Sequence, residues 1–148
     1  VEYPNKADES KIVRRMASTA PKLSVDQVLN PEDVRRLREL ADDIFMDEKI
    51  EEYIVNLVDA TRNPAEYGLG ELGDMIRYGG SPRATIYLTM AARGQALLEG
   101  RGYVTPQDVK NVAMDVLRHR VIITYEAEAE EKTSEDIVRE LLNTVKVP

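Results

Sequence analysis

The 148-residue sequence predicts a mainly α-helical domain, and three observations carry that expectation. Apolar residues recur at helical spacing in almost every segment. Helix-start patterns punctuate the chain, most clearly Asn30-Pro31-Glu32-Asp33 and Thr105-Pro106-Gln107-Asp108. Strand-like composition is confined to Val121–Tyr125, β-branched and aromatic, with Tyr103-Val104 as its expected partner in a short β-pair.

Taken in order, Ile12, Val13 and Met16 share one helical face behind Asn5, a suitable N-cap, and that helix should end near Ser18, before Pro21. Pro31 fits a first helical position, Glu32 and Asp33 meet the positive end of the dipole, and Val34, Leu37, Leu40, Ala41 and Ile44 form a stripe. A second stripe, Ile50, Tyr53, Ile54, Leu57 and Val58, follows the acidic break at Asp47-Glu48, so two helices are expected. Residues 63–80 lose the pattern and carry most of the glycines, which reads as a glycine-rich loop. Ala84 to Leu98 shows almost no polar face and should be the buried central helix. Gly94 lowers helix propensity there by about 1 kcal/mol against Ala, which points to a close backbone approach. Val109, Val112, Ala113, Val116 and Leu117 mark the next helix, ending in Arg118-His119-Arg120. Thr133-Ser134 opens a last one, with Ile137, Val138, Leu141, Leu142 and Val145 facing the core.

Composition narrows the function. A domain of this length buries roughly two-thirds of the surface its unfolded chain exposes, so residues 1–148 should fold as one unit. With 27 acids against 20 bases the net charge is −7, which disfavours a phosphate-backbone binder. There is no Cys and a single His, His119, so neither a disulfide framework nor a thiolate or multi-histidine metal site is expected. The apolar stretches are shorter than the roughly 20 residues needed to cross a bilayer, and no leader pattern opens the chain, so a soluble, cytoplasmic protein is expected. Residue 1 is Val, and Val1-Glu2-Tyr3-Pro4 reads as a strand tail entering a turn; a fragment of a longer protein is expected.

The most informative stretch is Gly79-Gly80-Ser81-Pro82-Arg83-Ala84-Thr85. Ser81 suits the cap, Pro82 the first helical position, and Arg83 then falls in the first turn, where a cation opposes the macrodipole by about 0.3–1 kcal/mol. Helix stability does not select it; an anion held by the free N–H groups of a helix start would. From these residues alone a solvated arginine beside a tight turn is the commoner arrangement. Arg118, His119 and Arg120 are read first as cations complementing a helix C-terminus, and only second as contacts to a nucleotide, subunit or client. His119 has no visible partner as a base. The acidic run Glu126–Glu131 reads as a solvated loop rather than a metal site. Of Tyr53, Tyr67, Tyr78 and Tyr87, at least Tyr53 and Tyr87 are expected in the core rather than as stacking platforms for bases.

Three runs, Gly80-Ser81-Pro82-Arg83-Ala84, Leu98 through Val109, and Val116-Leu117-Arg118-His119-Arg120, resemble in order and spacing the lid domain of MoxR-type AAA+ ATPases. Tyr3-Pro4 is similar to the exit from that family's nucleotide-binding core. The resemblance spans most of the chain and is specific in its second half; the Pro31–Arg62 hairpin is compatible with it without identifying it.

The resemblance implies an AAA+ lid-type helical bundle. Residues 1–5 would end the core-to-lid connection, 6–62 form the N-terminal helices, 63–80 the loop and 81–148 the C-terminal helices. It also implies that Arg83 is the sensor-2 arginine, reaching the γ-phosphate of ATP held by the core of the same subunit, with Gly80, Ser81 and Pro82 beside the nucleotide. ATP and Mg would belong to the full-length parent. Expected partners are the upstream core, neighbouring subunits of a ring, commonly a hexamer, and von Willebrand factor A-domain proteins, in chaperone-like remodelling of partner complexes. The chain departs from the whole enzyme in having no phosphate-binding Gly-x-x-x-x-Gly-Lys-Ser/Thr loop and no strand ending in paired acids, so by itself it should not hydrolyse ATP. Two rivals stand beside this reading. One is a stand-alone helical interaction module that never meets nucleotide. The other is a helix-turn-helix regulator, disfavoured because the helix after Thr105 carries only Lys110 before Arg118.

Overall fold

A computed structural model describes residues 3–20 and 24–148. The expected strand tail at Val1-Glu2 and the helix stop at Pro21 lie outside the described residues. The chain divides into two compact units, residues 1–33 and residues 34–148. The first contains α1 (Lys6–Met16), capped by Asn5, whose side chain accepts the Asp8 N–H at 3.0 Å. The helix stops at Ala17, slightly before the expected Ser18, and none of its residues is buried.

Helix α2 (Pro31–Asp42) opens on a reciprocal cap, the Asn30 side chain accepting from Asp33 N–H at 2.9 Å and the Asp33 carboxylate accepting from Asn30 N–H at 2.8 Å. Its stripe is less covered than the sequence implies, for Val34, Leu37 and Leu40 stay substantially exposed and only Ile44, beyond the helix end, is buried. Helix α3 (Glu48–Ala60) starts on Asp47, which accepts the Lys49 N–H at 2.9 Å. The two expected helices are separate. Helix α3 buries Ile50, Tyr53, Ile54, Leu57 and Val58, the expected stripe.

The glycine-rich stretch is more ordered than expected. It folds into two short 3-10 turns, Pro64–Tyr67 and Gly70–Leu72, and a strand, β1 (Ile76–Tyr78). That strand pairs antiparallel with β2 (Ile122–Ile123), Ile76 opposite Ile123 and Tyr78 opposite Ile122. The expected partner, Tyr103-Val104, is instead tied to Phe45 in a parallel bridge: Phe45 N–H donates to Gly102 O at 3.0 Å and Val104 N–H to Phe45 O at 2.9 Å. A three-residue strand among glycines is too short to show a period of two, which is why β1 was invisible in the sequence pattern.

Helix α4 (Pro82–Leu98) packs on α3 and on α5 (Pro106–Leu117). Its buried edge is Ala84, Leu88, Ala92 and Ala96, spaced by four, and the alanines let the neighbouring helices approach closely. The expectation of a helix buried all round is corrected: Ile86, Tyr87, Met90 and Leu98 are exposed, so its apolar residues fill a covered face and an open one. Tyr87 is therefore not a core residue, whereas Tyr53 is, at 1% exposure. Gly94 meets nothing on its side-chain face, so no close approach accounts for it.

The acidic run is also corrected, since Tyr125–Ala129 forms a short helix, α6, capped by Thr124, with Ala127 buried and its glutamates in solvent. Helix α7 (Ser134–Thr144) closes the domain by burying Ile137, Val138 and Leu141, and Val145 just beyond it. Among the described residues no helix is long and apolar enough to cross a membrane.

Candidate functional site at the start of helix α4

The start of α4 is built from the end of α3. Thr61, immediately after α3, is wholly buried, and its hydroxyl donates to Val58 O at 2.6 Å while accepting the Gly80 N–H at 2.7 Å. Arg62 Nη1 donates to Gly80 O at 3.2 Å and Nη2 to Asp59 at 3.0 Å. Both polar groups of the Gly80 backbone are thus held by neighbouring residues of one helix end. Gly79 has to be glycine, because a Cβ there would lie 2.4 Å from Thr61 O. Asp59 also accepts from Asn63 at 3.1 Å and from the Tyr67 hydroxyl at 3.1 Å. The Arg62 hydrogen bond, with those of Tyr67 and Asn63, holds its carboxyl below the usual carboxylate range against a smaller opposing effect of burial.

From this anchored turn the chain enters α4. Ser81 occupies the cap position in extended conformation but its side chain makes no capping bond, and Pro82 follows at the first helical position. The Ala84 N–H is met locally by Ser81 O at 2.7 Å. Arg83 is exposed and makes no hydrogen bond or ion pair with any described residue. Gly80 is buried, while Ser81, Pro82 and Arg83 are at the surface. An uncapped helix start carrying an unpartnered guanidinium in its first turn is chemically fitted to an anion, since it offers a positive dipole end and a full charge.

The start of α5 shows the same motif closed. Thr105 and Asp108 form a capping box, and Arg101 grips the Asp108 carboxylate with both guanidinium nitrogens, at 2.8 and 2.5 Å. Asp108 is 1% exposed, and its pKa falls to about 2, chiefly through the Arg101 hydrogen bonds, then those from Thr105, which together outweigh burial. The carboxylate that the cap requires is thus supplied from within the chain.

The second basic cluster is occupied internally. Arg118 donates to Met114 O and bridges Asp115 and Glu135, and Arg120 lies over the Tyr87 ring at 5.2 Å while donating to Val116 O and meeting His119. These cations terminate α5, as the helix-dipole reading holds. Among the described residues no group of three or more His, Asp or Glu is placed to hold a metal ion. Neither Thr61 nor Arg62 stood out in the sequence, although one signal was present: Thr61 continues the buried stripe four residues after Leu57, where a hydroxyl requires a partner.

Residues 73–141 match the AAA lid domain family. Over its whole length the chain is 40% identical to the chaperone MoxR1 of Mycobacterium tuberculosis, and over 76 residues, 49% of this chain and 22% of the relative, it is 43% identical to protein MoxR of Paracoccus denitrificans. Residues 73–141 carry the AAA lid, and the likeness to MoxR1 runs over the whole chain. The whole chain also superposes on 45% of a crystallised chain from Cytophaga hutchinsonii described as a "putative ATPase", with a TM-score of 0.91 and 38% identity. It spans 39% of the length of the M. tuberculosis relative. The anchored α4 start lies within the matched family region from Gly79 onward, whereas Thr61 and Arg62 precede it.

Proposed function

We propose that this lid senses nucleotide for an ATPase of which it forms part, through Arg83 acting as the sensor-2 arginine. The observation that carries this reading is the open start of α4, uncapped by Ser81 and bearing an arginine with no internal partner on a turn fixed at both polar groups of Gly80. A helix start arranged for stability alone would carry an acid or a cap, as α5 and α7 do. In this reading ATP is held by a core domain outside the chain. Arg83 reaches its terminal phosphate, with the α4 N–H groups adding favourable dipole. The nucleotide supplies the phosphoryl group to be cleaved, and the contribution of Arg83 is electrostatic, a positioned donor for charge that develops on phosphate oxygens. The α4 start offers no carboxylate, so magnesium would be bound by the core.

Differential contact of Arg83 with ATP and ADP would shift the lid between two positions and so drive chaperone-like remodelling of a partner complex. Assembly partners on this reading are the core of the same subunit, neighbouring subunits of a ring of the hexamer kind, and von Willebrand factor A-domain proteins, in the cytoplasm. Likeness over the whole chain to much longer relatives favours it over a stand-alone interaction module. The test compares ATP turnover by the full-length protein, by residues 1–148 and by full-length Arg83→Ala. The expected result is turnover in the full-length protein alone, slowed on the order of a hundredfold by the substitution, as for removal of one positioned donor. Unchanged turnover in Arg83→Ala would sink the sensor assignment.

A further inference from the structure

We infer that Thr61 and Arg62 are positioning residues for Arg83, an inference that rests on the sensor reading above. Three observations join to carry it. The Thr61 hydroxyl is buried and bonded on both sides, donating into the last turn of α3 at Val58 O and accepting from Gly80 N–H. Arg62 takes the other polar group of the same residue, Gly80 O, while its second nitrogen is fixed by Asp59. Asp59 is itself held by Tyr67 and Asn63. The contact is made at closest range, since Gly79 lies where any Cβ would overlap Thr61 O.

Gly80 immediately precedes the Ser81 cap and stands three residues before Arg83. With its N–H and C=O both fastened to the end of α3, the first turn of α4 has no freedom to swing independently of that helix. A displacement felt by Arg83 is therefore passed to α3 through two hydrogen bonds, and the direction in which Arg83 extends is set by residues that touch no ligand. If the turn served only to join two helices, one of these ties would suffice and the exposed Arg62 would be dispensable.

The experiment uses the full-length protein and Arg62→Ala, Thr61→Val and Thr61→Ser variants, each made with Arg83 and with Arg83→Ala. ATP is the probe, kcat and KM are measured separately, and thermal melting reports folding. Arg62→Ala and Thr61→Val are expected to lower kcat on the order of tenfold, as misplacement of a catalytic donor does, with KM changed by less than about threefold. Thr61→Ser keeps the hydroxyl and should restore the rate. In the Arg83→Ala background none of the three should slow turnover further, because residues that act through one another do not add.

Equal slowing with and without Arg83 would overturn the inference by making the turn a general scaffold. Unchanged kcat in Arg62→Ala and Thr61→Val, with Arg83→Ala still slow, would overturn it while leaving the sensor reading intact. Unchanged turnover in Arg83→Ala alone would remove both. Should Thr61→Val fail to fold, the exposed Arg62→Ala decides between the same outcomes.

Discussion

Helices α4 and α5 open on nearly the same tetrapeptide, Ser81-Pro82-Arg83-Ala84 and Thr105-Pro106-Gln107-Asp108, yet the two starts are finished in opposite ways. At α5 the third helical residue is an acid, which closes a capping box and is clasped by Arg101. At α4 that position is Ala84, buried against the α3–α4 turn, and the charge one residue earlier is positive and unmet. The α5 start caps the Thr105 and Asp108 N–H groups with each other's side chains. The α4 start is held in place from behind, through Gly80, and leaves its front unfinished. The difference separates a cap that stabilises a helix from a start that lacks both a capping bond and an acid.

The largest expected effect comes from opening the closed start. Asp108→Ala removes the capping acid and strips Arg101 of its partner, and should cost about 3 kcal/mol in chemical denaturation, the low end for breaking a buried pair because Arg101 is 27% exposed. Acid should do the same without mutation. Asp108 titrates at about 2 when folded and near 4 when unfolded, so its stabilisation, about 2 kcal/mol, is complete above pH 4 and is lost as pH falls through 2. The Asp108→Ala variant should lack that part of the acid dependence; an unaltered profile would mean that the clasp does not form in solution.

Smaller effects divide the two caps themselves. Thr105→Ala should lower stability by about 1–2 kcal/mol, whereas Ser81→Ala, which removes no capping bond, should stay within about 0.5 kcal/mol. Equal losses at the two sites would contradict the open geometry of α4. The smallest change is the most diagnostic: Arg83→Glu should raise the melting temperature slightly, by about 0.3–1 kcal/mol in stability, because an acid suits the positive end of the dipole. The same substitution should abolish the response of the full-length protein to ATP, so that stability and turnover move in opposite directions.

Much of this was legible in the sequence because helices announce themselves locally. The caps at Asn5, Asn30, Thr105 and Thr133 lie where residue types place them, and the α3 and α7 stripes are buried as their spacing requires. What was misread depends on contacts distant in sequence. The apolar residues of α4 could not reveal which half of the helix surface meets α3 and α5, and β2 takes its partner 45 or so residues away rather than from the nearer Tyr103. The candidate site divides in the same manner. Ser81, Pro82 and Arg83 were readable as a helix start, but the hydroxyl and guanidinium that hold it belong to the end of another helix, 19 and 18 residues before Gly80.

The pairing of β1 with β2 has a consequence for how the domain assembles. The segment from Gly79 to Val121 leaves and returns at neighbouring points, with Thr124 N–H donating to Met75 O and its hydroxyl to Asp74 O, both at 2.9 Å. Once α4 and α5 have packed together, the two strands are already close and join with little further loss of chain entropy. The strands therefore act as the drawstring of a helical pair that folds first, and amides of β2 should acquire protection from hydrogen exchange after those of α4 and α5 during refolding.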